Sequence, residues 1–414
     1  MSSTLTWQLA IRYLKGKRSG NAVPLLSRIS MTAIAVGSGA MIILFSVFNG
    51  FEDLVKDLYK AFYPEIRVTA AKGKFFSLND KQVAAIKHIK GVDSLSFVLE
   101  DNVLLHSDQD QRAAVIKGID DNYFKVNNVD PFITLGDHNV SVDTSGTTGT
   151  AIIGEKLADM MGLDVKNHIN SISLYYPNAK LQHPTMDMAN AFQVLTLYPR
   201  GMFRVQDEFD DKYILAPISL VRQLFNEDSR YSSIEIKVAE NGSFADVKQQ
   251  IENITGTAYK TQTRYEQNKA TYSVMNAERW VMYAILVFVL IIASSNMVGA
   301  LSLLVLEKEK DMAILRAMGA HRKTIRNVFL GEGLLWSLIG GGIGIVLGTV
   351  ICLLQIQFHL VKLGPDFMID AFPVKMAFTD FILVIATIVF VGVLASWYPA
   401  QRAKRIVIFD LKSN

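Results

Sequence analysis

The chain has 414 residues, half of them hydrophobic and a fifth charged, with a formal net charge of +3 and a single cysteine. One cysteine excludes a disulfide framework and a cysteine-built metal centre. The apolar residues are gathered into four uncharged runs, Ile29–Phe48, Trp280–Leu306, Gly333–Val361 and Phe381–Gln401. A bilayer core of roughly 30 Å needs about 20 helical residues, so the chain is expected to cross a membrane four times, and an ordinary soluble enzyme is excluded.

From the N-terminus, residues 1–24 read as a cytoplasmic amphipathic segment. Leu5, Leu9, Ile11 and Leu14 fall near one side of a helix, with Trp7 at an interface-like position and Lys15, Lys17 and Arg18 following. Such a helix lies along a membrane surface. The first span is expected over 25–50. Its basic flank resembles a signal peptide, but the run is long, starts late and lacks a small-residue cleavage site after Phe48, which favours an uncleaved anchor.

Residues 51–277 form the large extracytoplasmic domain. Phe51–Glu278 carries 24 Lys/Arg against 31 Asp/Glu, a net of −7, and is long enough for its own core. It reads as α+β. Strands are expected at Glu65–Ala70, Ser94–His106, Arg112–Gly118, Ile234–Ala239 and Ala258–Thr263. Helices are expected at Asn79–Lys90, capped by Asn79, and at Ser243–Thr255, capped by Ser243. Two β-α-β pieces therefore flank a middle block, about 121–226, which suggests two subdomains, one inserted into the other.

The second span is expected over 278–306, a cytoplasmic loop over 307–327, the third span over 328–360, a short periplasmic loop over 361–376, the fourth span over 377–400 and a cytoplasmic tail over 401–414. Basic residues cluster before the first span, between the second and third, and after the fourth, whereas 361–376 holds only Lys362 and Lys375. By the positive-inside rule both termini and the 307–327 loop are cytoplasmic. In the third span Gly340, Gly344 and Gly348 recur every four residues, the spacing that lets membrane helices approach closely. Apart from Glu332 at an edge, the four apolar runs hold no acidic or basic residue of the kind an ion-coupled transporter keeps at mid-membrane.

No G-x-x-x-x-G-K-[ST] loop is present, so any ATP dependence belongs to a partner. The seven histidines show no metal-ligand spacing, H-E-x-x-H is absent, and nothing resembles a nucleophile elbow. The chain is expected to be non-catalytic, to bind no cofactor or metal itself and to have no nucleic-acid partner. The informative stretch is the loop after the second span. Met312, Ile314, Leu315 and Met318 form an apolar stripe on a charged helix that Gly319 can end. A helix pinned between two spans suits transmission of force from a docked partner.

The segment Asp311-Met-Ala-Ile-Leu-Arg-Ala-Met-Gly-Ala320 resembles the signature of the FtsX-like (MacB-type fold) ABC permease superfamily, and Ala395-Ser-Trp-Tyr-Pro-Ala-Gln-Arg-Ala403 resembles its fourth-span ending. Ala10-Ile-Arg-Tyr-Leu14 and Ser46-Val-Phe-Asn-Gly-Phe-Glu52 resemble the lipoprotein-releasing LolC/LolE branch. The resemblance implies an inner-membrane, mechanotransmitting permease subunit. It would pair with a second permease subunit, as a homo- or heterodimer, and dock a cytoplasmic ABC ATPase subunit through Asp311, Ile314, Leu315, Arg316, Met318 and Gly319. ATP would be hydrolysed by that partner. The family extracts lipoproteins from membrane lipid and passes them to a periplasmic lipoprotein carrier. In the LolC type a protruding loop hooks the carrier, and by position that loop is Pro177–Asn190, with Pro177, Leu181, Pro184, Met186 and Met188 as contact candidates. The alternatives within the resemblance are export of small molecules or peptides, and a signalling subunit that controls a cell-wall hydrolase.

Overall fold

The computed structural model describes residues 22–107, 110–166, 170–178, 191–363 and 371–406. The chain divides into two compact units, residues 1–54 with 273–414, and residues 55–272. Two helices, α1 (Ala22–Phe62) and α9 below, contribute residues to both.

The second unit follows α1 with β1 (Ile66–Ala70), α2 (Asp80–Lys87), β2 (Val92–His106), β3 (Gln111–Ile119), α3 (Tyr123–Val126), β4 (Ile133–Gly136), β5 (Thr148–Gly154) and α4 (Glu155–Met160). It continues with β6 (Ile172–Pro177), β7 (Phe192–Phe203), α5 (Asp207–Asp210), β8 (Tyr213–Pro217), α6 (Ile218–Phe225), β9 (Ser233–Val238), α7 (Phe244–Thr255), β10 (Tyr259–Thr263) and α8 (Arg264–Gln267). The expected strands and both expected helices are present, with ends that coincide or shift by up to three residues. Asn79 caps α2 in a full capping box with Gln82, and the Ser243 hydroxyl accepts from the Asp246 N–H at the start of α7.

Among the described residues all ten strands belong to one mixed sheet, ordered β10-β1-β9-β2-β3-β8-β5-β7-β4, with β6 pairing β2 and β7. Strands of the middle block therefore join the same sheet as the flanking pieces, through the parallel β3/β8 pair and the antiparallel β2/β6 pair. The long β2 makes this possible. Its first half pairs β9 of a flanking piece and its end, Leu104–His106, pairs β6 of the middle block, so it serves both parts. The core clusters divide differently, and only one of them keeps to one part. Ile66, Val68, Ile86, Ile234, Ile236 and Val247 pack in a cluster drawn only from the flanking pieces. Leu157, Ile172, Leu174, Leu197, Leu220 and Val221 belong to another.

The first unit adds α9 (Lys269–Glu307), α10 (Glu309–Ala317), α11 (Arg322–Phe358) and α12 (Phe378–Ile406) to α1. Each of α1, α9, α11 and α12 is long and apolar enough to cross a membrane. All four exceed the apolar runs. Helix α1 continues to Phe62, and α9 begins at Lys269, because an uncharged run marks only the lipid-facing length, and amphipathic turns extend a helix beyond it. Ile34, Met41, Phe45, Met297, Leu301, Trp336 and Val391 lie in this unit's core, while Phe288, Val346 and Phe390 point outward, as lipid-facing residues do. The surface helix expected at Leu5–Leu14 lies outside the described residues.

Candidate functional site

In the segment between α9 and α11, Lys308 pairs with Asp311 at 3.0 Å in the first turn of α10. Gly319 then ends the helix at φ +92°. The Gly319 N–H donates to the Arg316 carbonyl at 2.9 Å and the Ala320 N–H to the Leu315 carbonyl at 3.0 Å, the paired bonds of a Schellman cap. Arg316 occupies the last turn, where a cation is favoured by the helix dipole. The apolar stripe expected here divides in two. Met312 is 1% exposed and packs in the core of the helical unit, Leu315 is half-buried, and Ile314 (60%) and Met318 (77%) are exposed. Met312 thus anchors the segment, and Ile314 and Met318, four residues apart, present an uncovered apolar face.

The three evenly spaced glycines of α11, Gly340, Gly344 and Gly348, all meet α1. An added Cβ would stand 2.6 Å from the Met31 carbonyl oxygen at Gly340 and 2.8 Å from that of Gly39 at Gly348, and at Gly344 it would fall on the Ala35 carbonyl and the Ser38 hydroxyl. Ser38 Oγ in turn donates to the Gly341 carbonyl at 3.2 Å. On the other side of α11, a Cβ at Gly341 would press on Ile388 of α12.

A polar clamp at the opposite end of the helical unit was not foreseen from sequence. The buried Asp380, in the first turn of α12, accepts from Arg279 Nη2 of α9 at 2.7 Å and from the Asn49 side chain of α1. Asn49 Nδ2 also lies 3.3 Å from the Lys375 carbonyl, and Lys375 pairs with Asp53. Gly50 packs so closely on the Pro373 carbonyl that no side chain fits there, and Phe51 meets Phe372 edge-on at 5.6 Å. The Asn49-Gly50-Phe51 triplet, noticed in sequence as a pattern, therefore ties α1 to the segment that leads into α12. The signal was present in the triplet, but its partners are more than 200 residues away.

Within the α+β unit, four charges lie together, Lys117 and Glu235 buried and Arg67 and Glu100 about a fifth exposed. Lys117 pairs with Glu235 at 2.9 Å, and Arg67 pairs with Glu100. The Asn127 amide donates to Glu235, and the Lys117 ammonium stands 4.8 Å from the centre of the Tyr123 ring. Burial opposes the charge on Glu100, but Arg67 and Lys117 outweigh it and hold the carboxyl below its ordinary range. Burial likewise opposes the charge on Arg67, and Glu100 and Glu235 hold the guanidinium protonated. Two cations and two anions in one low-dielectric site compensate each other.

Of the loop expected to hook a carrier, Pro177 is exposed at the end of β6, while Leu181, Pro184, Met186 and Met188 lie outside the described residues. Its base is well ordered by pairing, with Pro177 opposite Phe192 across the β6/β7 ladder.

Comparison with known proteins covers nearly the whole chain. Residues 27–254 match the MacB-like periplasmic core domain, and residues 283–408 match the FtsX-like permease C-terminal family. The lipoprotein-releasing system transmembrane protein LolC of Xylella fastidiosa (strain 9a5c) is 23% identical over 425 residues, covering 98% of each chain. LolE of Haemophilus influenzae is 23% identical over 414 residues, 95% of this chain and 96% of that one. Among solved structures, the periplasmic region of MacB from Actinobacillus actinomycetemcomitans aligns with a TM-score of 0.36 at 10% identity, over 53% of this chain and 98% of that one.

Proposed function

Because the chain belongs to the FtsX-like permeases with a MacB-like periplasmic core domain, and is thus a multi-pass ABC permease subunit, we propose that it extracts lipoproteins from the inner membrane and hands them to a periplasmic carrier. The observation that carries this reading is the extent of the likeness. The similarity to proteins named for lipoprotein release spans the α+β domain as well as the membrane helices, over 98% of both chains in one case. A likeness confined to the permease helices would favour neither release nor export.

The physical task explains the parts. Each acyl methylene buried in a bilayer is worth about 0.8 kcal/mol, so a multi-acyl anchor does not leave spontaneously and the step must be driven. This chain carries no phosphate-cradling loop. In our reading a separate ATPase subunit supplies the hydrolysis and docks on Ile314 and Met318, exposed on a segment that Met312 and the Gly319 cap hold rigidly. A second permease subunit completes the pair. Movement then passes along α1 and α9, which run without a break into the α+β unit's residues. Both termini and the α10 segment face the cytoplasm, the α+β unit faces the periplasm, and the loop after Pro177 receives the carrier.

Depletion of the protein in its own cells tests the reading. Lipoproteins destined for the outer membrane should accumulate in the inner membrane, seen by fractionation and blotting. Normal sorting on depletion would remove lipoprotein release and leave the export alternative.

A further inference from the structure

Along the outward side of α9, Ile285, Val289, Ile292, Asn296, Gly299 and Leu303 follow one another in alternating steps of four and three residues, and all of them are exposed. That spacing is the seam of a helix pair. The apolar members suit lipid as well as they suit a neighbour, so the spacing decides nothing by itself. Asn296 does not suit lipid. It lies about 26 Å along the helix from Arg279 and about 17 Å from Glu307. A hydrocarbon layer of roughly 30 Å therefore contains it wherever the layer sits between those charges. The other amides of the four uncharged runs, Gln355, Gln357 and Gln401, stand near an end of theirs. The Asn296 side chain has no hydrogen-bond partner among the described residues, and an amide facing hydrocarbon is costly until one is found.

The missing partner must be polar, lie at the same depth and come close. Gly299, the next position of the seam, leaves room, since an added Cβ there meets nothing within 4 Å. A glycine at such a place lets a second backbone approach. A second copy of the chain inserts the same way round. Its α9 then runs parallel, and a two-fold axis along the membrane normal sets each seam position against itself. An amide is self-complementary, because the N–H of one donates to the oxygen of the other. We propose that α9 pairs with α9 of a second copy along this seam, with Asn296 bonded to its counterpart across the axis and fixing the register. This pairing rests on the reading above that two permease subunits assemble, and does not depend on what they carry.

The full-length chain, expressed without any other permease subunit in a Cys352→Ser background, tests this. Gly299→Cys should form a disulfide-linked dimer when membranes are oxidised, because facing seam positions lie within the roughly 7 Å between Cα atoms that a disulfide spans. Val346→Cys, also exposed but on α11, should not link. In detergent, the Asn296→Leu dimer should dissociate about 3- to 20-fold more readily, the range of one interhelical hydrogen bond in a membrane. Asn296→Gln should hold the dimer. Gly299→Leu should also weaken it, by keeping the backbones apart. Both positions are exposed, and Gly299 faces open space in the chain alone, so neither change should unfold it. A chain that stays monomeric alone but copurifies with a different permease subunit would overturn self-pairing and leave the paired assembly standing. A monomer in both cases would overturn both. A dimer in which Gly299→Cys does not link, or links no more than Val346→Cys, would keep the assembly and remove this seam. So would a dimer that Asn296→Leu and Gly299→Leu leave as tight as the parent.

Discussion

Burial pushes the Asp210 carboxyl up to about 6, although it accepts a hydrogen bond from the Val205 N–H at 2.8 Å. The unfolded chain ionises this group near its ordinary value of 3.8. Between those two values the folded chain holds the extra proton, so this residue's contribution to stability falls as the pH rises through 4 to 6. Asp210→Asn keeps the acceptor and removes the charge. Its melting temperature should exceed the parent's at pH 7–8, and the gap should close by pH 4. A gap that does not change with pH would reject the assignment. Glu235 shows why such residues escape a sequence reading. In Ile234-Glu-Ile-Lys-Val238 it sits at the polar position of an alternating strand, which ordinarily faces water. Here that face is covered by Tyr59, Phe62 and Tyr123, in a core that includes the last turns of α1, and Glu235 is fully buried. Its partners Arg67 and Lys117 arrive from β1 and β3. Only strand order brings the charges together, and periodicity does not encode strand order.

At the scale of elements, the membrane helices were legible because lipid demands long uncharged runs, and the strands were legible because alternation survives in half-buried sheets. The surplus length of α1 and α9 was not, since charged turns carry no membrane signal. The glycine row of α11 was legible as a close contact, but not as a contact with α1. At Gly344 a side chain would collide with the Ala35 carbonyl, and backbone cannot yield as a side-chain tip can. Gly344→Leu should therefore destabilise the full chain by at least the roughly 1–3 kcal/mol typical of overpacking, read as a lower melting temperature in detergent. Gly342→Ala, where an added Cβ meets nothing within 4 Å, should be neutral or slightly stabilising. If the two variants melt alike, the α1 contact is not what this row provides. The face of α10 gives a second test. Burying one aliphatic side chain such as Ile314 or Met318 is worth about 1.5–3 kcal/mol, so a partner that covers both gains more than a hundredfold in affinity. Ile314→Asp with Met318→Asp should abolish copurification of an ATPase subunit while leaving the melting temperature unchanged, because both side chains are exposed in the chain alone. Leu315, half-buried, is the poorer target. An intact complex would refute docking on this face.

For the whole molecule, the distribution of charge decides which parts share a compartment. Helix α9 holds the uncharged run Trp280–Leu306, about 40 Å of helix, enough to cross the hydrocarbon once. Whatever precedes it must lie on the opposite side from whatever follows it. The preceding segment carries the net negative charge, and the α10 segment carries six Lys/Arg between residues 308 and 326. Lys and Arg near span ends are retained in the cytoplasm. This partition can be read without any reporter domain, because the chain has one cysteine, Cys352, and it is buried. In a Cys352→Ser background, Ser145→Cys places a thiol on an exposed turn of the α+β unit, and Ala317→Cys places one at the exposed end of α10. A membrane-impermeant maleimide should label residue 145 only in right-side-out vesicles and residue 317 only in inverted ones. Labelling of both in the same vesicles would mean that α9 does not cross, and force could not then pass from a cytoplasmic subunit to the sheet by this route. The reverse pattern would keep the crossing but move the α10 face away from any cytoplasmic ATPase.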